Sequence, residues 1–221
     1  MKHMMIKYFV IIYALLANLA FANKDVIDTA NWLSQLPDDK TINQLIMPGS
    51  HDAGMYQTRH CTFIVAPQWA QAQNLSMYQQ LTAGSRYFDL RVDYDHKKLT
   101  TYHRTDSIGC GGAYLEDILN QSVQFLIDHP SEFIILKFSH TRSDSGHNPE
   151  KTTNQVINLL KDKYKSFLYV NESQNINLAK LSLGQVRGKI ITVFDNEYNH
   201  DHLINSLKGT FSYHDYSNEN P

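Results

Sequence analysis

Six short runs rich in apolar and β-branched residues recur along the chain, with helical patterns between most of them. That alternation constrains the fold more than any other feature. The runs are INQLIM (42–47), SRYFDLRV (85–92), KLTTYH (98–103), EFIILKFS (132–139), KIITVF (189–194) and TFSYHDY (210–216). SMYQQLTAG leads into the second run, with Gly84 as a stop signal. AYLEDILNQSVQFLIDHP places Leu115, Ile118, Leu119, Val123, Leu126 and Ile127 at helical spacing until Pro130 ends it. NPEKTTNQVINLLKDKY begins near Pro149 and carries Ile157, Leu159 and Leu160. Strands alternating with helices imply a parallel sheet.

The ends of the runs carry the polar chemistry. The first gives way to His51 and Asp52, the second ends at Arg91, the third at His103-Arg104, the fourth at Ser139-His140 and the fifth at Asp195. Reactive groups at the carboxyl ends of successive strands are what a (β/α) barrel presents at its catalytic face. The expected fold class is therefore α/β, a TIM-type barrel. Such a barrel normally takes about 250 residues. Six runs in 221 residues predict a distorted barrel, either minimal or incomplete at its C-terminus.

Two histidines, an arginine and a carboxylate form a coherent kit. One imidazole can take a proton from an attacking hydroxyl, and the other can give one to a leaving alkoxide. A guanidinium can hold phosphate oxygens and stabilise charge developing on them. Each residue also has a plainer reading: His51 as a turn residue, Asp52 as a helix cap, Arg91 as a barrel ion pair, His103 as a strand-end histidine.

The N-terminus reads as an export signal. Lys2 and Lys7 precede an apolar core, and Ala20-Phe21-Ala22 is a small-x-small cleavage site. The expected organisation is a signal peptide at 1–22 and one domain at 23–221, secreted or periplasmic; an uncleaved anchor is the alternative. No basic run follows, so nucleic acid is not an expected partner. The two cysteines, Cys61 and Cys110, form an even count. In an oxidising compartment that favours a disulfide over two free thiols, on loops at the cleft side. No Cys/His zinc spacing is present.

LIMPGSHDAG, QQLTAGSRYFDLRV, TTYHR and FLIDHPSEFIILKFS resemble successive blocks of the X-domain of phosphatidylinositol-specific phospholipase C, in its bacterial, metal-independent form. The resemblance covers about residues 40–195 and implies a distorted TIM barrel. Carried over position by position, it implies His51 as general base toward the inositol 2-hydroxyl. Arg91 falls against the phosphate, His103 is the general acid toward diacylglycerol, and Asp52 is the partner of His103. A cyclic inositol phosphate would be the first product, and no cofactor or metal is implied. Asp89 matches an acidic family position and is expected to hold Arg91. Ser139 and His140 fall where the family has a lysine, and Asp195 stands near an inositol-contacting arginine; all are candidate substrate contacts. The carboxylate partner of His51 is not identified, with Asp215 a candidate by position.

The expected partner is a phospholipid or inositol phosphodiester met by a monomer at a membrane surface. Tyr56, Phe63 and Trp69 on the first cleft-side loop are candidates for that contact. Two rival readings stay open. One is a metal-dependent glycerophosphodiesterase or sphingomyelinase D-like enzyme, which needs a Glu-x-Asp pair where this chain has Asp89-Leu90-Arg91. The other is a non-catalytic binder of phosphoinositide head groups.

Overall fold

Alternation along two parallel strands decides which end of the sheet becomes the site. In β5 (Ile134–Ser143), Ile134, Leu136 and Phe138 face one hydrophobic cluster, and Ile135 faces another. Farther along that second face stand Lys137 and Ser139. In β2 (Tyr87–Asp95), Phe88, Leu90 and Val92 join the first cluster, while Tyr87, Asp89 and Arg91 share the opposite face. The strands pair in parallel with Tyr87 beside Ile135, Asp89 beside Lys137 and Arg91 beside Ser139. One face therefore turns from apolar to charged toward its carboxyl end.

The computed structural model describes residues 27–143, 149–170, 177–194 and 211–212. Its seven strands run in the order β4 (Ile108–Tyr114), β3 (Lys98–Thr105), β2, β5, β6 (Ile190–Phe194) and β7 (Phe211–Ser212), with β1 (Gly49–Ser50) also on β2. β6 (Ile190–Phe194) and β7 (Phe211–Ser212) continue the parallel pairing. This is a distorted (β/α) barrel, and among the described residues the sheet does not close.

The helices follow their sequence signals. The short α1 (Pro67–Ala70) and α2 (Met77–Thr82) precede β2. In α2, the Ser76 N–H donates to Gln79 Oε1, and Gly84, at φ +110°, follows its end. α3 (Leu115–Asp128) buries Leu115, Ile118, Leu119, Ser122, Phe125 and Leu126, leaving Ile127 exposed. Glu116 and Asp117 complement its N-terminus. α4 (Pro149–Lys163) follows β5, and α5 (Leu183–Val186) precedes β6.

Two expectations need correction, and one strand is additional to those expected. Residues 42–47 are not a strand: Ile42–Gln44 form a 3-10 turn, with the Thr41 N–H donating to Gln44 Oε1 at 3.0 Å. Only Gly49–Ser50 are extended beside β2. The run at 98–103 is not parallel. β3 (Lys98–Thr105) folds back antiparallel on β2 through the left-handed pair His96 and Lys97, at φ 47° and 64°. A further antiparallel strand, β4 (Ile108–Tyr114), then precedes α3. Its three glycines hide it from β-propensity. Gly109, at φ +145°, has no room for a Cβ, which would strike the His103 carbonyl.

Candidate active site

The His51–Gly54 turn is built to bring Asp52 under β3. Asp52 adopts a left-handed backbone, φ 46°, which aspartate tolerates better than most residues. The Ala53 N–H donates to the Asp89 carbonyl at 2.9 Å, and the Met55 N–H to the Asp52 carbonyl at 2.8 Å. A Cβ on Gly54 would collide with the Thr101 side chain, so glycine alone permits this approach to β3. Gln80 of α2 clamps the turn from below. Its Oε1 accepts from Ser50 Oγ at 2.5 Å, and its Nε2 donates to the Ala53 carbonyl at 2.9 Å.

Asp52 is the hub. Its side chain is fully buried. Oδ2 meets His103 Nδ1 at 2.7 Å, and Oδ1 lies 3.0 Å from Arg91 Nε. The second contact lacks hydrogen-bond alignment, so both of its atoms are buried without a hydrogen-bond partner. His51 Nε2 lies 3.5 Å from Asp52 Oδ2, too far for a strong bond. His51 Nδ1 faces Asp89 Oδ2 at 3.1 Å. Asp89 Oδ1 accepts from Ser139 Oγ at 2.7 Å.

The structure thus brings His51, Asp52, Arg91, His103, Asp89 and Ser139 together. One role is corrected: Arg91 turns to Asp52, not Asp89. Asp89 and Arg91 sit two residues apart on one strand face, and the Asp89 oxygens meet His51 and Ser139. His140 is exposed, at φ 48°, and lines the cleft; its carbonyl accepts from the Tyr102 hydroxyl. Asp195 and Asp215 lie outside the described residues.

The cleft has a volume of about 490 Å³ and includes two residues that sequence reasoning missed, Lys137 and Tyr87. Lys137 is two residues before Ser139 and in register with Asp89. Strand alternation finds it: the cleft face of β5 takes every second residue, so the lysine expected at Ser139-His140 stands two residues earlier on the same strand. His51, Asp52 and Asp89 also offer ligand atoms within 4.8 Å of one another, the one such grouping among the described residues. A cation there would compete with Arg91 for Asp52.

Cys61 and Cys110 form a disulfide. Cys110 is not on a loop: it lies in β4, buried, beside His103 in register. The bridge ties the loop bearing Phe63 and Trp69 to the strand next to the site. Thr62 adds a bond from its N–H to the Gly109 carbonyl at 2.8 Å. Phe63 is 97% and Trp69 73% exposed. Tyr56 instead packs against the main core and accepts from Gln121 Nε2 at 3.1 Å.

Residues 46–194 match the family model of the phosphatidylinositol-specific phospholipase C X domain. A 1-phosphatidylinositol phosphodiesterase of Listeria monocytogenes is 31% identical over 185 residues, covering 84% of this chain and 55% of the relative. One of Staphylococcus aureus is 24% identical, covering 82% and 52%. The solved phosphatidylinositol-specific phospholipase C of L. monocytogenes superposes with TM-score 0.60 at 29% identity, over 77% of this chain and 58% of that one. The chain spans about half the length of these bacterial relatives. It belongs to the phosphatidylinositol-specific phospholipase C X-domain family.

Proposed function

We propose that the chain is an exported phosphodiesterase that cleaves an inositol phospholipid by acid–base catalysis through a cyclic inositol phosphate. The observation that carries this reading is the buried Asp52 carboxylate between His103 Nδ1 and Arg91 Nε, with His51 across from it. His51 takes the proton of the inositol 2-hydroxyl, whose oxygen attacks phosphorus. Arg91 stabilises charge on the phosphate oxygens. Asp52 holds Nδ1 of His103, so Nε2 is the atom that protonates the departing diacylglycerol oxygen. Water then opens the cyclic phosphate with the histidines exchanging roles.

The His51–Asp52–Asp89 grouping favours a second reading, metal-assisted cleavage. In the first reading the Arg91 guanidinium does the work of that cation. An assay with excess chelator separates the two: phosphatidylinositol, phosphatidylcholine and glycerophosphodiesters are offered, and products are followed by phosphorus NMR. The acid–base reading requires cyclic inositol phosphate from phosphatidylinositol at an undiminished rate. Loss of turnover in chelator, or cleavage of the other substrates instead, would overturn it.

The leader pattern at 1–22 and the disulfide support export as a single domain at 23–221. Exposed Phe63 and Trp69, with exposed Ile108 on the strand that Thr62 and the disulfide tie to their segment, supply apolar surface for peripheral contact with a membrane. All residues invoked come from one copy, so a monomer suffices.

A further inference from the structure

The turn at 51–54 carries both His51 and Asp52, so the partners of its backbone carbonyls decide where the reacting groups stand. Two carbonyls have backbone partners. That of Asp52 accepts from the Met55 N–H at 2.8 Å, and that of Gly54 from the Ala113 N–H at 2.9 Å. The other two are taken by glutamine side chains. Gln80 Nε2 donates to the Ala53 carbonyl at 2.9 Å, and Gln73 Nε2 donates to the His51 carbonyl at 2.7 Å. Asp52, left-handed at φ 46°, lies between these two amide-held carbonyls. A residue in that region keeps its conformation only when its surroundings hold it there.

The two glutamines differ in kind. Gln80 is buried, and it also accepts from Ser50 Oγ and donates to the Leu75 carbonyl at 2.7 Å. Its loss would therefore damage the packed interior as well as the turn. Gln73 is half-buried and comes from the segment that follows α1. Its own backbone is fixed: its N–H donates to the Met55 carbonyl at 3.2 Å, and its carbonyl accepts from Gln71 Nε2 at 3.1 Å. A carbonyl can only accept, so the His51 carbonyl fixes which end of the Gln73 amide faces the turn. The His51 side chain is 67% exposed, so packing does little to place its ring. The backbone from which the ring projects does more.

We propose that Gln73 is a positioning residue of the reaction. Its amide holds the His51 peptide plane, and with it the Cα–Cβ direction that carries the imidazole over the cleft. Gln73 acts through His51 and touches neither substrate nor the reacting atoms. A small rotation of that peptide would move the imidazole off the attacking hydroxyl, and misplacement of a reacting group is costly to rate. It would cost little stability, because water can replace a half-exposed donor at the carbonyl. Gln73 thus affects rate without stability, whereas Gln80 affects both. The role rests on the phosphodiesterase reading of the site.

The test compares wild type with Gln73→Met, which keeps the length of the side chain and removes its donors, and with Gln73→Glu. Each is measured by steady-state kinetics on phosphatidylinositol, by thermal unfolding, and by NMR of the His51 carbonyl carbon and imidazole ring, assigned by their loss in His51→Ala. Gln73→Met should lower kcat about tenfold, change KM about twofold at most and leave the unfolding midpoint unchanged. The His51 carbonyl signal should lose its hydrogen-bond shift, and the ring signals should move. Gln73→Glu turns a carboxylate toward the carbonyl at neutral pH and should lose at least as much rate. Its rate relative to wild type should recover as pH falls through the ordinary glutamate range, near about 4.3, because the protonated acid regains an O–H donor. Wild-type kcat in Gln73→Met overturns the proposal. So does a raised KM at unchanged kcat, which makes Gln73 a substrate contact, or a rate loss matched by a lower unfolding midpoint, which makes it structural. Should Gln73→Met fail to fold, a Gln73→Glu deficit that stays constant with pH equally overturns it. A wild type without turnover rejects the phosphodiesterase reading; a moved His51 ring in Gln73→Met then still supports the hold on His51, and an unmoved ring rejects that as well.

Discussion

Arg86 and Arg91 stand five residues apart at opposite ends of the same stretch of chain, and their surroundings differ in kind. Arg86 is fully buried. Its Nε and Nη2 donate to Glu132 Oε2 at 2.9 and 2.7 Å, its Nη1 to the carbonyls of Leu81 and Ser85, and its Nη2 to that of Ala30. Burial pulls the Arg86 guanidinium below its usual range, and Glu132 opposes that pull. Arg91 keeps a quarter of its side chain exposed to the cleft, and its Nε faces Asp52 without an aligned hydrogen bond. A saturated guanidinium welds elements together. One with unspent donors is available to an incoming anion. The molecule thus separates stability at one end of its strands from chemistry at the other.

Substitutions at each end can break this division. The largest effects should come from His51→Ala and His103→Ala, each lowering turnover of phosphatidylinositol about 10²–10⁴-fold with thermal unfolding unchanged. Full activity in either would sink the mechanism. Glu132→Ala leaves the Arg86 charge buried and unpaired, and should cost about 3–5 kcal/mol in denaturant melts. Its turnover per folded molecule should match wild type; a specific loss there would mean the two ends are coupled. Arg91→Lys should lower kcat about 10²–10³-fold, because a point ammonium cannot replace the planar fork. A near-normal rate would make Arg91 structural like Arg86. Cys61→Ala with Cys110→Ala should cost about 2–4 kcal/mol. The same pair should also weaken binding to phospholipid vesicles, since the bridge tethers the Phe63–Trp69 loop.

Sequence reasoning reached the site by residue type more securely than by geometry. The parallel strands β5 and β6 are legible from their continuous apolar runs, FIIL and IITVF, and β2 from its alternation of Phe88, Leu90 and Val92 with Asp89 and Arg91. His103 was found at what looked like the end of a parallel strand, yet it lies within an antiparallel hairpin that glycines at 109, 111 and 112 conceal. Lys137 was recoverable from period-two alternation with Ser139. The roles of Asp89 and Gln80 were not, because they depend on which of several nearby partners a side chain turns toward. Asp89 lies two residues from Arg91, yet its carboxylate meets His51 and Ser139.

The central claim is that His103, oriented by Asp52, delivers a proton to the leaving oxygen. The most direct measurement compares His103→Ala with wild type on phosphatidylinositol and on an inositol phosphate ester of a nitrophenol, whose oxygen leaves without protonation. The defect should be about 10²–10⁴-fold on the lipid and shrink to about tenfold or less on the nitrophenyl ester. Equal defects on both substrates would contradict the assignment of His103 as the general acid.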